Sequence, residues 1–472
     1  MNAMKKIYRL FFAVIFVLAA FSAEAQNEGL TLSLLRDMPY NNYLNPGNRV
    51  KYNGIVGFGI SNINLGVLNT SIKYDNIYRF ENGVPVAIDA NKFIQSLNDK
   101  DNTVKADFSL DILNVGFRVK KLFFNVDWRL KMNAGLDYSK DFVGFFLLGN
   151  GNYMGLDNPA DFNINTDATL YSEIGVGVQY EINDKLTVGV RPKLLLGLAN
   201  AEINSDRTRI YTDPDTYGIS ASVDLDIKTS SVLGINMGRI GDITNLFNSD
   251  SIGNAISKSS YTENLGLGID FGASYVINEH WGISASVCDI GFIKWKNAKV
   301  KSVDVEDTQV VAQIIDDISN IDLGIDYKSM LDNLLKNVWG NDSLFNGDSY
   351  KTYLNTRVMV DGYYELNPML RITAIGQLYK HQGQMYPAFT LAYSGSFVRH
   401  INITANYTMS KYSGNSIGLG LGFHFGPVNF YAVTDNVMML SKIGKSTVEM
   451  ATSYNTADLR LGLVFTIGKP EK

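Results

Sequence analysis

Most of the chain alternates apolar side chains with polar or very small ones. In one run, for example, Leu265, Leu267 and Ile269 alternate with glycine or aspartate. A period of two residues indicates β-strands with two different faces. Soluble sandwiches alternate in the same way, so the length of the strands and the spacing of the turns must decide the class of fold.

The alternating runs are long, and the connections between them are of two kinds. Many runs extend over about 9 to 14 residues, whereas globular strands average about 5–6 and about 9–11 tilted residues cross a bilayer. Tight turns such as Lys120-Lys121, Asn183-Asp184 and Asn278-Glu279 alternate along the chain with long connections, called joins here. The joins cover 139–167, 202–262, 300–352 and 436–456. Short turns on one rim and long loops on the other are typical of outer-membrane barrels. The sequence therefore predicts an all-β fold, a closed antiparallel transmembrane β-barrel with long, partly helical outer loops.

Counting the runs predicts about 14 strands. The first run covers about 54–75, and the others are 104–119, 122–138, 168–182, 186–201, 264–277, 281–298, 355–366, 369–380, 386–398, 401–411, 415–425, 428–436 and 458–467. The apolar phase flips inside the first run, at Ser61-Asn62. A β-bulge there keeps 14 strands, whereas a hairpin there gives 16.

Both ends of the chain stand apart from the alternating pattern. Residues 1–25 combine an early positive charge, an apolar run and an Ala-x-Ala site, which predicts a secretory signal peptide. Residues 26–50 lack alternation and are predicted to form a short N-terminal periplasmic or hatch segment. The barrel is then assigned to 51–468 and a periplasmic tail to 469–472. Within the join 300–352, apolar residues from Val310 to Val338 recur at helical spacing and predict an amphipathic helix.

Several motifs resemble one family. They are Asn45-Pro46-Gly47, the stretch Ile269–Ala273 with its partner Ala285–Trp295, the stretch from Leu419 to Asn436 and the last strand from Leu459 to Gly468. Together they resemble an uncharacterised family of Gram-negative outer-membrane barrels, a family defined by a domain of unknown function. That family is similar to FadL-type channels for hydrophobic compounds and to PorP-type barrels of type IX secretion. The resemblance implies the fold, and it transfers no functional residues.

Composition and motifs exclude several other functions. The chain has a net charge of −5 and one cysteine, so a basic nucleic-acid surface and a disulfide framework are excluded. Gly414-Asn415-Ser416-Ile417-Gly418 matches the G-x-S-x-G of hydrolases, but it opens a strand, and the nearest histidine, His424, lies eight residues further along that same extended strand. The four histidines have no metal-ligand spacing. We therefore predict no enzymatic activity, no catalytic or metal-binding residues and no cofactor.

Charged side chains of both signs are predicted to point into the barrel. By parity, the lumen-lining candidates are Arg129, Lys131, Glu173, Arg191, Lys193, Asp270, Arg357, Asp361, Arg371 and Arg460. Two interpretations are open. These charges pair across strands and brace the wall, or they line a polar, partly hydrated conduit.

Two functions fit these observations. One is a hatch-gated channel in the outer membrane of a Gram-negative bacterium, which admits small hydrophobic molecules and whose hatch turns at Asn45, Pro46 and Gly47. The alternative is a structural or secretion-linked PorP-like barrel, or an adhesin, whose large outer loops bind an outer-membrane or surface protein. The predicted partners are accordingly outer-membrane lipid with either a hydrophobic small molecule or a protein, and no nucleic acid.

Overall fold

The structure is a computed structural model that describes most of residues 30–468. It does not describe 1–29, 37, 60, 83, 100–101, 156, 217–218, 234–261, 310–343, 382–383, 398–399, 411–413, 443–444, 446–448, 450–451 and 469–472. The predicted signal peptide, the helix predicted over 310–338 and the C-terminal tail lie outside the described residues, so these expectations stay predictions.

The described residues form short helices and many strands. The α-helices are α1 (Leu30–Leu34), α2 (Tyr74–Ile77), α3 (Ala90–Ser96) and α4 (Lys140–Leu148), and 3-10 turns cover Pro39–Tyr43, Asn150–Asn152 and Val437–Lys442. The strands are β1 (Gly54–Phe58), β2 (Ile63–Asn69), β3 (Tyr78–Glu81), β4 (Val84–Ile88), β5 (Asn102–Val119), β6 (Leu122–Tyr138), β7 (Ala160–Asp161), β8 (Ile164–Glu181), β9 (Leu186–Asn204), β10 (Arg209–Thr212), β11 (Ile219–Ser231), β12 (Asn264–Val276), β13 (Trp281–Trp295), β14 (Lys299–Gln309), β15 (Phe345–Asn346), β16 (Tyr350–Tyr353), β17 (Arg357–Asn367), β18 (Leu370–His381), β19 (Gln384–Phe397), β20 (Ile401–Ser410), β21 (Gly414–Phe425), β22 (Val428–Thr434) and β23 (Thr456–Ile467). None of the helices in the described part of the chain is long and apolar enough to cross a membrane.

Fourteen strands close into an antiparallel barrel, as the sequence predicted. In order around the barrel they are the first strand formed by β1 and β2 together, then β5, β6, β8, β9, β12, β13, β17, β18, β19, β20, β21, β22 and β23. The first strand pairs with β5 on one side and with β23 on the other, which closes the sheet. Closure satisfies the backbone hydrogen bonds of every barrel strand and removes the free edges of the sheet.

The interruption in the first strand is a break within one strand and not a hairpin. β1 and β2 both run antiparallel to β5, so the chain keeps its direction across 59–62. Gly59 has φ +65°, and the carbonyl of Ser61 still accepts a hydrogen bond from Leu463 N at 3.1 Å. The count of 14 is therefore confirmed and the alternative of 16 is wrong.

The outer surface of the barrel is apolar. Val126 and Trp128 are exposed while Asp127 between them is fully buried, and Leu267 and Phe271 are exposed around the buried Asp270. The same alternation continues around the sheet, with exposed Leu391, Tyr407, Ile417 and Phe465. An apolar band outside and polar side chains inside is the arrangement that lipid requires of a spanning barrel.

Beyond the barrel, the long joins hold structure that the sequence analysis did not predict as strands. The β11 strand pairs with the far end of β9 and with β14, so a sheet continues outward from the barrel wall. It encloses a separate apolar core with β10 and α4, in which Phe162, Ile210 and Leu225 are buried. A hairpin of β3 and β4 projects from the join between β2 and β5. Alternation in β11 is regular, but the rule that long joins are loops concealed it.

Candidate functional site

The described residues of the range 30–50, called here the N-terminal segment, lie inside the barrel. Thr31 N donates to Asp435 Oδ1 at 2.9 Å, beyond the end of β22, and Arg36 contacts Glu365 of β17 at 3.3 Å. Tyr43 Oη donates to Asp111 Oδ2 of β5 at 2.7 Å. Because these partners stand on strands spread around the sheet, the segment must occupy the lumen. Its apolar side chains are correspondingly buried, including Leu30, Leu32, Leu35 and Met38.

The Asn45-Pro46-Gly47 turn docks onto β8, β9, β12 and β13. Asn45 Oδ1 accepts a hydrogen bond from Gly47 N at 2.8 Å, which closes the turn, and Asn45 Nδ2 donates to Ser284 Oγ at 3.0 Å. Gln179 Nε2 donates to the Pro46 carbonyl at 2.9 Å. The structure thus places all three predicted hatch residues against the wall of the lumen.

Glycines in the wall permit this close approach. A Cβ built on Gly189 would collide with the carbonyl of Pro46, and one built on Gly272 would collide with the side chain of Asn45. Since neither glycine needs an unusual φ, their role here is to leave space for the segment's backbone.

One side of the lumen carries a dense network of charges. The charged side is the inner face of β6, β8, β9, β12 and β13. Arg191 contacts three carboxylates: its Nε lies 2.9 Å from Asp127, its Nη2 lies 2.8 Å from Glu173, and its Nη1 lies 3.1 Å from Asp270. Lys193 Nζ lies 2.7 Å from Asp270 and 2.5 Å from Asp289.

Arg129 and Lys131 complete the network on β6. Arg129 pairs with Glu173 and lies 3.4 Å from Asp127, and Lys131 lies 3.9 Å from Glu173. All of these side chains are buried. Buried charges are tolerated when they are paired with opposite charges, and each charged side chain of this network has at least one ion-pair partner.

Tyr43 connects the N-terminal segment to this network. The guanidinium carbons of Arg129 and Arg191 lie 4.4 and 5.1 Å from the centroid of its ring, within cation–π range. Burial raises the pKa of Tyr43 well above its ordinary value. Its hydroxyl therefore stays protonated and can donate to Asp111.

The opposite side of the lumen has no charged side chains. The neutral side is the inner face of β19, β20, β21 and β22, and these four strands contain no Asp, Glu, Lys or Arg. Hydroxyl and amide groups replace them: Thr390 Oγ1 lies 2.8 Å from Thr408 Oγ1, and Asn406 Nδ2 donates to Thr31 Oγ1 at 2.7 Å. Gly418, Gly420 and Gly422 let α1 and the residues after it pack directly against the strand.

The other predicted lumen residues fall into two groups. Arg357 and Arg460 are buried and line a cavity that faces the charged side. Asp361 bonds to Ser284, and Arg371 lies 3.1 Å from Glu365 beside Arg36, nearer the short-turn rim. The candidates therefore do not form one site. Six of them, Arg129, Lys131, Glu173, Arg191, Lys193 and Asp270, belong to the charged network.

Three members of the site, Asp127, Asp289 and Tyr43, were not among the predicted site residues. The parity that places Arg129 on the inner face of β6 also places Asp127 there. Asp289 faces inward because the register of β12 and β13 shifts between Ile269 and Phe271, and Asp289 itself has φ +60°. In the sequence, the alternation of apolar and polar residues slips at Cys288, and this slip is the signal that could have identified Asp289. No sequence signal identifies Tyr43, because the N-terminal segment has no periodic pattern from which the direction of a side chain could be predicted.

Two small cavities lie beside the N-terminal segment. One of about 10 Å³ is lined by Asn42, Pro46, Gln179 and Arg191 among others. The other, of about 30 Å³, is lined by Tyr43 and Leu44 of the segment and by polar and charged wall residues. In the part of the chain that the structure describes, no group of three or more His, Cys, Asp and Glu side chains is placed to hold a metal ion.

A closed barrel with an apolar exterior, a polar lumen and an internal segment defines a transmembrane β-barrel protein. The chain matches the family described as "Family of unknown function (DUF5723)" over residues 46–435, and it belongs to that family. The resemblance seen in the sequence motifs is thereby confirmed. No curated protein sequence shows significant similarity to the chain.

Among solved structures, the chain is similar to a FadL homologue and to two toluene transporters. A Pseudomonas aeruginosa FadL homologue gives a TM-score of 0.46 at 9% identity, with 95% of this chain and 99% of that chain covered. The Ralstonia pickettii toluene transporter TbuX gives 0.43 at 10% identity, with 91% and 94% covered. The Pseudomonas putida toluene transporter TodX gives 0.39 at 8% identity, with 89% and 90% covered. Similarity at this level says nothing about what this chain carries.

Proposed function

We propose that this protein is a transport barrel of the Gram-negative outer membrane, closed by its N-terminal segment, and that it admits small hydrophobic molecules. The observation that carries the proposal is the position of residues 30–50, which fill the lumen and contact strands around its whole circumference. A barrel that served only as a membrane anchor would not need a separate segment fitted into its lumen by specific hydrogen bonds.

The apolar packing of the N-terminal segment against β17, β18, β19 and β22 supports a hydrophobic substrate. Leu30 and Leu34 of α1 pack with Met359, Ile375 and Ala392 of the wall. A second apolar cluster joins Leu32, Leu35 and Met38 to Tyr431 and Val433. Displacement of α1 would leave an uncharged slot lined in part by these apolar side chains. Such a slot favours apolar molecules, because the transfer of apolar surface out of water is favourable, whereas a polar molecule would lose favourable hydration on entry.

Hydrogen bonds on the charged side hold one end of the N-terminal segment, which supports a gate in which only the other end moves. The Asn45-Pro46-Gly47 turn is fixed by several hydrogen bonds to β8, β12 and β13. The α1 helix is held mainly by Thr31 and by apolar packing. Opening therefore begins at α1, with the turn as its fixed end.

A reversible disulfide tests this gate. In a Cys288→Ser background, Thr31→Cys and Asn406→Cys replace two side chains that touch across the lumen. We expect oxidation to reduce entry of the apolar dye N-phenylnaphthylamine to the rate of cells that lack the barrel, and dithiothreitol to restore it. The matched control is Thr390→Cys with Thr408→Cys, which links two wall strands in the same region and should leave dye entry unchanged.

A deletion tests the same gate in the opposite direction. Removal of residues 27–44 keeps every strand of the closed sheet and the docked turn, so a folded barrel with raised permeability to small solutes in liposomes is expected. The transport proposal is wrong if the wild-type protein, the deletion and the reduced disulfide variant all show the dye entry of cells without the barrel.

The outer sheet favours a second function, that of a scaffold or adhesin. β11 and β14 extend beyond the wall and carry their own apolar core with Ile210 and Leu225. A folded structure outside the barrel offers a surface to another protein. If the deletion above changes no permeability while deletion of 205–225 abolishes co-purification of an outer-membrane or surface protein, this second function replaces the first.

A further inference from the structure

His424 lies on the neutral side, where its ring contacts the two wall strands that flank β21. It is the only histidine in the sequences of β19, β20, β21 and β22, and these four strands contain no Asp, Glu, Lys or Arg. Histidine is the side chain whose unperturbed charge changes between pH 5 and 8. His424 is therefore the residue of the neutral side on which a fall in pH below neutral can place a charge.

The Nε2 atom of His424 must accept a hydrogen bond. Asn402 Nδ2 of β20 lies 2.7 Å from this atom and also donates to the main-chain carbonyl of Arg36 at 2.7 Å. A carbonyl oxygen only accepts, so it fixes the amide nitrogen of Asn402 on this side. The amide oxygen of Asn402 accepts from Ser396 Oγ at 2.6 Å. Since the amide nitrogen only donates, Nε2 carries a lone pair and no hydrogen.

The Nδ1 atom of His424 must donate a hydrogen bond. It contacts the amide oxygen of Asn429 on β22. Asn429 Nδ2 donates to Thr466 Oγ1 at 2.9 Å and to the Val464 carbonyl at 3.4 Å, and this carbonyl fixes the orientation of the amide. Tyr52 Oη lies 3.3 Å from Nδ1. The surrounding groups therefore hold His424 as the neutral tautomer with its hydrogen on Nδ1.

Titratable and charged groups also lie around His424 and its partners. Tyr52 contacts the ring itself, and His400 Nδ1 lies 2.8 Å from the main-chain carbonyl of His424 at the short-turn rim. Arg36 receives the bond from Asn402 on its main-chain carbonyl, while its guanidinium reaches Glu365 of β17 at 3.3 Å. The two cationic neighbours thus face this chain of contacts with main-chain atoms or from the rim.

A second proton on His424 disturbs this arrangement at one place. Protonated Nε2 carries a hydrogen that faces the N–H of Asn402, and the amide removes the conflict by turning over. Asn402 Oδ1 then accepts from the imidazolium, and Asn402 Nδ2 donates to Ser396 Oγ, because a hydroxyl both donates and accepts. The carbonyl of Arg36 loses this donor and faces an oxygen instead.

We propose that His424 is a pH sensor that controls the attachment of the N-terminal segment through Asn402. At neutral pH the imidazole directs the amide of Asn402 toward the carbonyl of Arg36, two residues after the end of α1. As the pH falls and the imidazole takes up its second proton, this hydrogen bond is lost, so α1 separates from the wall more readily in acid. The inference concerns the attachment of the segment and does not depend on what the barrel carries.

Hydrogen exchange of the purified barrel in non-ionic detergent, at pH 7.5 and at pH 5.0, tests this proposal. The rates are corrected for the intrinsic dependence of amide exchange on pH. Loss of one hydrogen bond to a buried group changes an opening equilibrium by at least about five-fold. Protection over residues 30–36 should therefore fall at least about five-fold at pH 5.0, with little change in the wall strands β8 and β9.

Three variants trace the signal. His424→Gln keeps an acceptor for Asn402 but takes up no proton, so protection over 30–36 should be the same at both pH values. Asn402→Leu keeps the approximate shape and removes the donor to Arg36, so protection should be low at both. His280→Gln is the matched control, because this exposed histidine also contacts a main-chain carbonyl, that of Glu365 at 2.9 Å. It should respond to pH like the wild type.

Protonation of Asp435 is the alternative cause of an acid response, because Asp435 accepts a hydrogen bond from Thr31 N of α1. His424→Gln leaves that contact intact. An equal loss of protection in His424→Gln and in the wild type would assign the response to Asp435 and overturn the proposal.

Nitrogen-15 NMR of the imidazole rings decides even if His424→Gln does not fold. The chain has four histidines, and His424 is assigned through the contact of its ring with Tyr52. Its hydrogen should be on Nδ1 at pH 7.5, both nitrogens should carry one at pH 5.0, and the loss of protection should follow the same titration. A hydrogen on Nε2 at pH 7.5, a ring that stays neutral at pH 5.0, or unchanged protection over 30–36 once the ring is charged would each overturn the proposal.

Discussion

The charged side and the neutral side stand about half a turn apart on the same barrel, and both contact the same N-terminal segment. On the charged side, most polar contacts run from wall to wall: Arg191 alone joins β6, β8, β9 and β12. On the neutral side, wall-to-wall contacts are hydrogen bonds among hydroxyl, amide and imidazole groups, such as Thr390 to Thr408 and Asn402 to His424. The first side is therefore a brace, and the second is a surface from which the segment can separate.

The difference follows from the energetics of burial. Separation of buried ions exposes charges that have lost their partners, at a cost of several kcal/mol per ion. Separation of an apolar contact costs about 25 cal/mol for each Å² exposed and can be compensated by an apolar ligand in the gap. A gate with one ionic and one uncharged side consequently opens on the uncharged side, where a hydrophobic molecule that covers the apolar side chains of α1 offsets the cost.

The largest effect is expected from the centre of the brace. Arg191→Met leaves Asp127, Glu173 and Asp270 facing one another without their shared cation. Removal of one partner from a buried ionic network costs about 3–5 kcal/mol, so the free energy of unfolding in urea, measured in lipid vesicles, should fall by that amount. Arg207→Met is the matched control, because its pair with Asp224 is exposed and such pairs contribute about 0–1 kcal/mol. Equal losses in the two variants would show that the network does not brace the wall.

Much of this division was predictable from the sequence. Alternation placed Arg191 and Glu173 on the inner face, and the absence of charged residues within the strands β19, β20, β21 and β22 is visible in the printed chain. Most strand bounds agree within a few residues, since a strand that faces lipid on one side and a polar lumen on the other must alternate throughout its length. The tight turns agree as well, for example at Lys120, which has φ +55°.

What the sequence did not predict depends on contacts between distant segments. The position of Tyr43 between Arg129 and Arg191 is determined by how residues 30–50 thread the lumen, and no period encodes that path. Asp289 faces inward through a local register shift. β11 was assigned to a loop because the alternation of turn lengths, which identified the barrel, carries no information on strands that continue beyond the membrane.

A smaller effect is expected where the Asn45-Pro46-Gly47 turn meets the wall. Gly189→Ala places a Cβ against the backbone carbonyl of Pro46, which cannot rotate away as a side chain would. Overpacking of this kind costs about 1–3 kcal/mol, and here it falls on the docked turn, so hydrogen exchange over residues 45–50 should accelerate. Gly376→Ala is the matched control, since the only neighbour within 4 Å of its Cβ is the carbonyl oxygen of Val360 at 3.9 Å. If both variants exchange like the wild type, the turn is not the fixed end of the gate.

The smallest effect is expected from Thr31→Val, which is also the most specific test of the neutral side. The substitution keeps the shape of the side chain but removes the hydroxyl that bonds to Asp435 and accepts from Asn406, while the backbone bond from Thr31 N to Asp435 remains. One net hydrogen bond contributes about 1 kcal/mol, so exchange over residues 30–36 should accelerate about five-fold with little change in the unfolding of the barrel. Thr390→Val removes a bond of the same kind between two wall strands. It should therefore show the reverse pattern, a slightly less stable barrel with unchanged exchange in α1. If Thr31→Val instead destabilises the barrel as much as Thr390→Val does, α1 is a structural part of the wall, and the neutral side is no more separable than the charged one.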